Sequence, residues 1–517
     1  VLTHDLFYFW IFGAFLMKNN QIKKSNRYVN DLRRIGYSGA QVTNVRSGFL
    51  PISISLIFIV CAGIFGNMSL SVTSEEIIIL ISAAAIGGYM ALNIGANDVA
   101  NNMGPAVGGK VLTIFSAIII AAVFESAGAL LAGGDVVKTV AKGIVSPGQE
   151  ISPENFRYMM MSALLSAALW INLATYLNAP VSTTHSIVGG VMGAGIAGGG
   201  FGLVNWATMS KIAASWVISP VFGGLVAASL LLLIQVKIIN TQDRKSAALK
   251  WVPFLIGLMA AAFIAYMSIK GLKKIWKADL IEIYIYSIAG FLIAWRVSIP
   301  LVKKQSTNLS EKKQDIYKLF NIPLILGVSL LCFAHGANDV ANAVGPLAAI
   351  VSSFGQGTSD SSDISIPFWV MFIGAAGIAL GLMLFGPKLI TTVGQKITRL
   401  NAPRAYCVAL ASAITVLIAT AFGLPVSSTH IAIGAIFGVG FLRETMENPN
   451  KRRLRPGHKL NHTADEAFKG LNIRLRRKLV RRRFVFSIAS AWIVTVPSAA
   501  IISGLLFYAS QHLISMD

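Results

Sequence analysis

The chain has 517 residues, of which 55% are hydrophobic and only 13% charged, with a mean hydropathy of +0.66. A water-soluble chain of this size carries roughly a quarter charged residues, so a soluble globular protein is excluded. The formal net charge of +22 would suit a nucleic-acid partner, but 14 Lys and Arg residues fall in one polar loop between Arg443 and Arg483. That is how a cytoplasmic loop looks under the positive-inside bias, so the expectation is a lipid bilayer and no nucleic acid.

Taken in chain order, the first element is VLTHDLFYFWIFGAFLMK, an apolar run that ends at Lys18. It has no basic start and no small-residue cleavage site, and it reads as an interfacial or short membrane segment rather than a cleaved signal. Apolar runs long enough to cross a bilayer core of about 30 Å follow near 50–68, 77–94, 112–132, 158–177, 211–236, 251–269, 281–299, 320–334, 366–386, 403–422 and 484–509. The pattern predicts an all-α polytopic membrane protein with 11–12 membrane segments. Cys61, Cys332 and Cys407 lie far apart in apolar segments, without metal spacing or a disulfide framework, and read as small reduced core residues.

The chain is written twice. GANDVAN occupies 95–101 and again 336–342, within NIGANDVANNMGPAVGG (93–109) and AHGANDVANAVGPLAAI (334–350). Downstream, APVSTTHSIVGGVMGAG (179–195) faces LPVSSTHIAIGAIFGVG (424–440). Two motifs in one order and at nearly one spacing indicate internal duplication. The expected organisation is a basic lead-in (1–49), an extra membrane segment (50–75), a first repeat (76–240), connecting membrane segments with a basic loop (241–315), and a second repeat (316–510) containing the basic loop 443–483. Residues 210–320 have no duplicate legible in sequence. If the stretch after PVSSTH returns to its own side, the basic stretches 300–319 and 443–483 fall on opposite sides, so the crossing number stays open.

Each GANDVAN places Asn97, Asp98 and Asn101, or Asn338, Asp339 and Asn342, just after an apolar run. A carboxylate at the bilayer centre costs about 2.5–3.5 kcal/mol on insertion scales and is kept for a reason. Gly104-Pro105 and Gly345-Pro346 follow, and Pro predicts a break in each helix, tolerated where the freed backbone lines an enclosed cavity. Hard oxygen ligands beside a broken helix suit Na⁺, or a proton if the Asp titrates; the alternative is an Asn/Asp pair that merely caps a half-helix.

Ser182, Thr183 and Thr184 mirror Ser427, Ser428 and Thr429, each triplet between a Pro-containing turn and a His. Pro followed by hydroxyl residues is a helix start, whose open N–H groups and dipole attract an anion. The alternative is small polar residues joining helices in the membrane. Glu125 is a lone acid in an apolar segment and a candidate coupling residue. His335, where the first copy has Ile94, reads as a packed core residue rather than a ligand.

These residues resemble the inorganic phosphate transporter (PiT) family, whose hallmarks are the duplicated GANDVAN-type motif and the duplicated P-[VI]-S-[ST]-T-H motif. The resemblance covers 76–240 and 316–510 and implies two inverted-topology repeats with broken helices and re-entrant hairpins. It implies import of inorganic phosphate by symport with Na⁺ or H⁺, with no other cofactor or metal and no enzyme activity. It assigns Ser182, Thr183, Thr184, Ser427, Ser428 and Thr429 to phosphate, and Asn97, Asp98, Asn338 and Asp339 to cation and substrate. Glu125 resembles the family's first-half membrane glutamate, whereas Ala409 stands where some members carry a second one. A bacterial cytoplasmic membrane is the expected location, and a homodimer is left open. Competing readings are a sulfate carrier on the same architecture, an anion channel, and a hydrolase built on Ser182, His185 and Asp98.

Overall fold

The computed structural model describes residues 49–145, 151–177, 181–271, 276, 278–354, 366–396, 400–446 and 482–514. The lead-in through residue 48, Pro180 of the first hydroxyl motif and most of the basic loop 443–483 lie outside the described residues. Residues 55–517 form one compact unit; residues 1–54 group apart, and of these only 49–54 are described.

Fifteen main helices carry the described chain: α1 (Phe49–Ser69), α2 (Ser74–Gly108), α3 (Ile114–Ala132), the short α4 (Gly134–Lys138), α5 (Pro153–Tyr176), α6 (Thr183–Gly199), α7 (Trp206–Ile234), α8 (Arg244–Tyr266), α9 (Leu280–Ser306), α10 (Asn321–Asp339), α11 (Ala341–Phe354), α12 (Phe368–Lys396), α13 (Ala402–Ala421), α14 (Ser428–Met446) and α15 (Arg482–Ile514). Eleven spans among the described residues are long and apolar enough to cross a membrane, matching the eleven apolar runs. The protein is an all-α polytopic membrane protein. Of the three cysteines, Cys332 and Cys407 are buried as expected, whereas Cys61 is exposed on α1.

Helix starts follow local chemistry. A Thr73–Glu76 capping box opens α2, and Ser152 caps α5, which has a Pro in its first turn. Ser182 caps α6 by accepting the His185 N–H, so the hydroxyl motif starts a helix as its sequence predicts. The break predicted at Gly104-Pro105 does not occur. α2 runs from Ser74 to Gly108 with Pro105 inside it. Pro105 forfeits the one bond its N–H would give to the Asn101 carbonyl, but only three residues of helix follow it and the helix continues to Gly108. In the second copy Val340, between α10 and α11, keeps helical dihedrals, donates to the Gly336 carbonyl at 3.3 Å and accepts the Val344 N–H at 2.9 Å. Pro346 lies inside α11, so the predicted break is absent there too.

Glycine contacts reveal how the copies interleave. A Cβ on Gly336 would meet the Glu125 carbonyl at 2.0 Å, and one on Gly95 would meet the Ile378 carbonyl at 2.0 Å. Likewise Gly128 abuts the Phe333 carbonyl and Gly381 the Leu92 carbonyl, again at 2.0 Å. The pair α10–α3 is therefore repeated as α2–α12, each joining one copy to the other. Small residues permit this close backbone approach in a membrane, where helices associate by packing rather than by the hydrophobic effect. The same logic gives α7 a counterpart. Gly189 and Gly193 of α6 abut Val496 and Ala500 of α15, and Gly434 and Gly438 of α14 abut Pro220 and Gly224 of α7. So part of the stretch 210–320 is duplicated after all, in packing rather than in side-chain sequence.

Replacing Gly336 with Ala would force α3 and α10 apart. Overpacking costs about 1–3 kcal/mol when side chains can yield, and here the obstacle is backbone. Thermal melts in detergent should show Gly336→Ala strongly destabilised and Gly134→Ala unaffected, because a Cβ on Gly134 meets nothing within 4 Å. Equal melting temperatures for the two variants would refute this packing.

A second tie between copies is polar. Buried Arg157 of α5 pairs with Glu76 at 2.8 Å, donates to the Ser353 hydroxyl at 2.9 Å and carbonyl at 3.1 Å, and lies 4.0 Å over the Phe354 ring. The start of α2, the start of α5 and the end of α11 are thus held by one guanidinium.

Candidate functional site

All thirteen residues singled out in sequence are buried, none more than 8% exposed. The structure draws most of them into one polar cluster where α2, α6, α10, α11 and α14 meet. Thr183 at the start of α6 donates to Asp98 Oδ2 at 2.8 Å, and Ser428 at the start of α14 donates to Asp339 Oδ2 at 3.2 Å. Two further bonds cross between copies: Asn101 donates to the Thr429 hydroxyl at 2.8 Å, and Asn342 donates to the Thr184 hydroxyl at 3.1 Å. Thr429 also donates to Asp98 Oδ1 at 3.3 Å. The Thr183–Asp98 and Asn101–Thr429 bonds thus have duplicates in Ser428–Asp339 and Asn342–Thr184, whereas Thr429–Asp98 has none, because Thr184 donates to a backbone carbonyl instead.

The starts of α6 and α14 face one another. The Thr184 hydroxyl donates to the Val426 carbonyl at 3.0 Å, and the His185 and His430 rings are 4.6 Å apart between centroids. Ser182 and Ser427 act as matched caps, accepting the N–H groups of His185 and His430 at 3.1 and 3.3 Å. Helix starts leave their first N–H groups without intrahelical partners, so two such ends, pointed together, concentrate positive potential.

Asn97 and Asn338 do something different. Asn97 donates to the Thr175 hydroxyl at 2.9 Å, and Asn338 donates to the Thr420 hydroxyl at 3.0 Å while accepting the Val426 N–H at 3.1 Å. They brace α2 against α5 and α10 against α13. Thr175 and Thr420 are absent from the sequence reading.

The main residue that sequence reasoning missed is His335. It is fully buried, with Nε2 3.1 Å from Asp339 Oδ2 and 3.8 Å from Asp98 Oδ2, and Nδ1 3.3 Å from Glu125 Oε1. His335 is packed in the core as its sequence context suggests, and it stands among three carboxylates, which that context does not reveal. Glu125 also accepts from Asn102 at 2.8 Å. Two signals were available. His335 precedes Asp339 by four residues, which puts both on one helix face, and it replaces Ile94 in an otherwise matched repeat.

Oxygen donors dominate the cluster, a set that suits a hard cation. The fit is supported by buried acceptor oxygens that have no hydrogen-bond partner among the described residues: Asp339 Oδ1, Asn342 Oδ1, Glu125 Oε2 and Asn102 Oδ1. Such oxygens are costly unless paired. The hydrolase reading finds no support. Ser182 spends its acceptor on a backbone N–H, the His185 ring lies against Trp216 at 3.8 Å, and Asp98 bonds Thr183 rather than a histidine.

Residues 94–503 match the model of the phosphate transporter family. A Helicobacter pylori chain provisionally named a phosphate permease is 43% identical, the match covering 89% of this chain and 95% of that one. The Arabidopsis thaliana chain named inorganic phosphate transporter 2-1, chloroplastic, is 34% identical, covering 81% of this chain and 70% of that one. A solved structure titled the sodium-dependent phosphate transporter is 36% identical, covers 84% of this chain and 99% of that chain, and superposes with a TM-score of 0.72. With its duplicated motifs brought together inside a helical membrane protein, the chain belongs to the phosphate transporter family, a family of transporters and not of enzymes.

Proposed function

We propose that the chain imports inorganic phosphate by symport with a cation, on two inverted-topology repeats that expose one buried site alternately to each side of a bacterial cytoplasmic membrane. The observation that carries this reading is the bonding of the helix-start hydroxyls to the motif carboxylates: Thr183 to Asp98 and Ser428 to Asp339.

Phosphate is a strongly hydrated anion, and moving it into a low-dielectric cavity is prohibitive unless donors and opposite charge replace water. A hydroxyl has one proton to give. While Thr183, Ser428 and Thr429 give theirs to Asp98 and Asp339, those protons are not available to phosphate, and the carboxylates would repel it. A cation held by Asp98 and Asp339, with amide oxygens of Asn101 and Asn342, changes both terms at once. It offsets the charge, and it lets the hydroxyls turn to the oxyanion. Ser182, Thr184 and Ser427 complete the donor group, and Glu125 acts through Asn102 and His335. The cation and the anion then bind more tightly together than apart, which is the condition for symport. Na⁺ is the favoured ion, supported by the oxygen-rich donor set and by the sodium-dependent neighbour.

The test is ³²P-phosphate uptake into proteoliposomes under an inward Na⁺ gradient or an inward H⁺ gradient, with and without excess unlabelled sulfate. Uptake driven by Na⁺ and indifferent to sulfate is expected. Uptake driven by H⁺ alone would replace the ion, competition by sulfate would broaden the substrate to tetrahedral oxyanions, and gradient-independent equilibration would overturn symport in favour of a channel.

A further inference from the structure

Among the described residues, helices α8 and α9 contribute no side chain to the site, and α9 has no evident counterpart in the packing of the two copies. Its buried residues, Gly290, Ser298, Val302 and Ser306, form one stripe. The other side bears exposed Leu292, Ile293 and Val297 and, among them, exposed Arg296. Arg296 lies inside the span Leu280–Ser306, whose most apolar 18-residue stretch has a mean hydropathy of 1.7, and has no hydrogen bond, ion pair or ring contact with any described residue.

A guanidinium cannot shed its charge and carries five N–H donors. Hydrocarbon satisfies none of them, so the side chain must snorkel toward a headgroup layer. The direction is set by Lys303 and Lys304, both exposed. They follow Arg296 by seven and eight residues, two helical turns, so all three lie on one face, with Arg296 about 10 Å deeper. Beyond them Lys312 and Lys313 are also exposed. The stripe presents a fork that binds a phosphodiester in bidentate fashion, beneath ammonium groups that attract an anionic surface.

We propose that this face of α9 holds an anionic phospholipid, its phosphate gripped by Arg296 and Lys303 and its acyl chains lying along Leu292, Ile293 and Val297. A second copy of the chain is the other candidate, and the charges argue against it. The acid on α9, Glu282, lies at the opposite end and is committed to the Asp279 N–H at 2.9 Å. A two-fold contact through this face would set Arg296 against Arg296, without an acid at that level.

The experiment uses the full chain in neutral phosphatidylcholine micelles or nanodiscs, with phosphatidylglycerol added, and reads lipid retained by native mass spectrometry together with melting temperature. Wild type should retain phosphatidylglycerol and melt several degrees higher with it. Arg296→Gln should lose at least half of that shift, and Arg296→Lys, which keeps the charge but not the fork, should fall between. Lys211→Gln, an exposed lysine of α7, removes the same charge elsewhere and should respond like wild type. An equal response in Arg296→Gln and Lys211→Gln would overturn the site. So would an Arg296→Gln variant that dissociates an oligomer while retaining lipid as before, which would assign the face to a second copy.

Discussion

Asp98→Asn should abolish concentrative phosphate uptake while leaving the fold in place. The amide has the carboxylate's shape: its oxygen can still accept from Thr429, and its NH₂ can donate to Thr183, whose hydroxyl also accepts. The hydrogen-bonded frame around α6 and α14 is therefore kept. What is lost is the charge that a cation would meet. A charge-assisted contact contributes about 1.5–3 kcal/mol, so cation affinity should fall by roughly 10–100-fold. Without the cation, phosphate meets donors but no compensating charge, and binding fails with it. ³²P uptake against a gradient, read beside the melting temperature, checks both halves of the claim. A symporter loses accumulation; a passive pore would still equilibrate the anion. Normal accumulation by Asp98→Asn would remove Asp98 from the coupling machinery.

The helical membrane architecture was legible because its signals are local. Apolar runs give the spans, and a Pro followed by hydroxyl residues gives the starts of α6 and α14, since capping involves neighbours three residues apart. Thr183, Ser428 and Thr429 stand at those starts by the same local signal. The failures are tertiary. Pro105 announces a break, yet α2 continues past it to Gly108. The kinship of α7 and α15 is invisible because membrane-facing apolar side chains can drift while the backbone contacts at Gly438 and Gly193 stay fixed. Asn97 and Asn338 carry the motif's signature yet point at Thr175 and Thr420, partners on a helix that sequence alone does not bring alongside. His335 was passed over because Glu125, which makes it meaningful, comes from another helix in the other copy.

His335 also marks where the duplication is broken, and that break yields a second large effect. The close contact of Gly336 with Glu125 is matched by that of Gly95 with Ile378. The packing therefore pairs Glu125 with Ile378 and His335 with Ile94 as counterparts, all four fully buried. One half of the molecule carries a polar pair at 3.3 Å where the other carries two isoleucines, and Asn102 stands opposite Ala343. His335→Ile alone should destabilise the protein by about 3–5 kcal/mol, because removing one partner leaves a buried carboxyl uncompensated. The triple replacement His335→Ile, Glu125→Ile and Asn102→Ala copies the apolar half. Exchanging a buried polar pair for apolar residues of fitting shape is often neutral, and the molecule already shows that the shape fits. The triple variant should thus melt near wild type and still fail to accumulate phosphate. Melting curves and gradient-driven ³²P uptake on both variants separate the possibilities. If the triple variant accumulated phosphate normally, the polar pair would be a packing feature and Asp339 would need no brace. If it stayed as unstable as His335→Ile, the counterpart relation drawn from Gly95 and Gly336 would be wrong. The expected combination, stability restored and transport lost, would mean that the two halves are alike in scaffold but unlike in chemistry. Asp98 would then face the hydroxyls of α6 and α14, while Asp339 also has His335 Nε2 at 3.1 Å, with Glu125 on the other side of that ring and Asn102 bonded to Glu125.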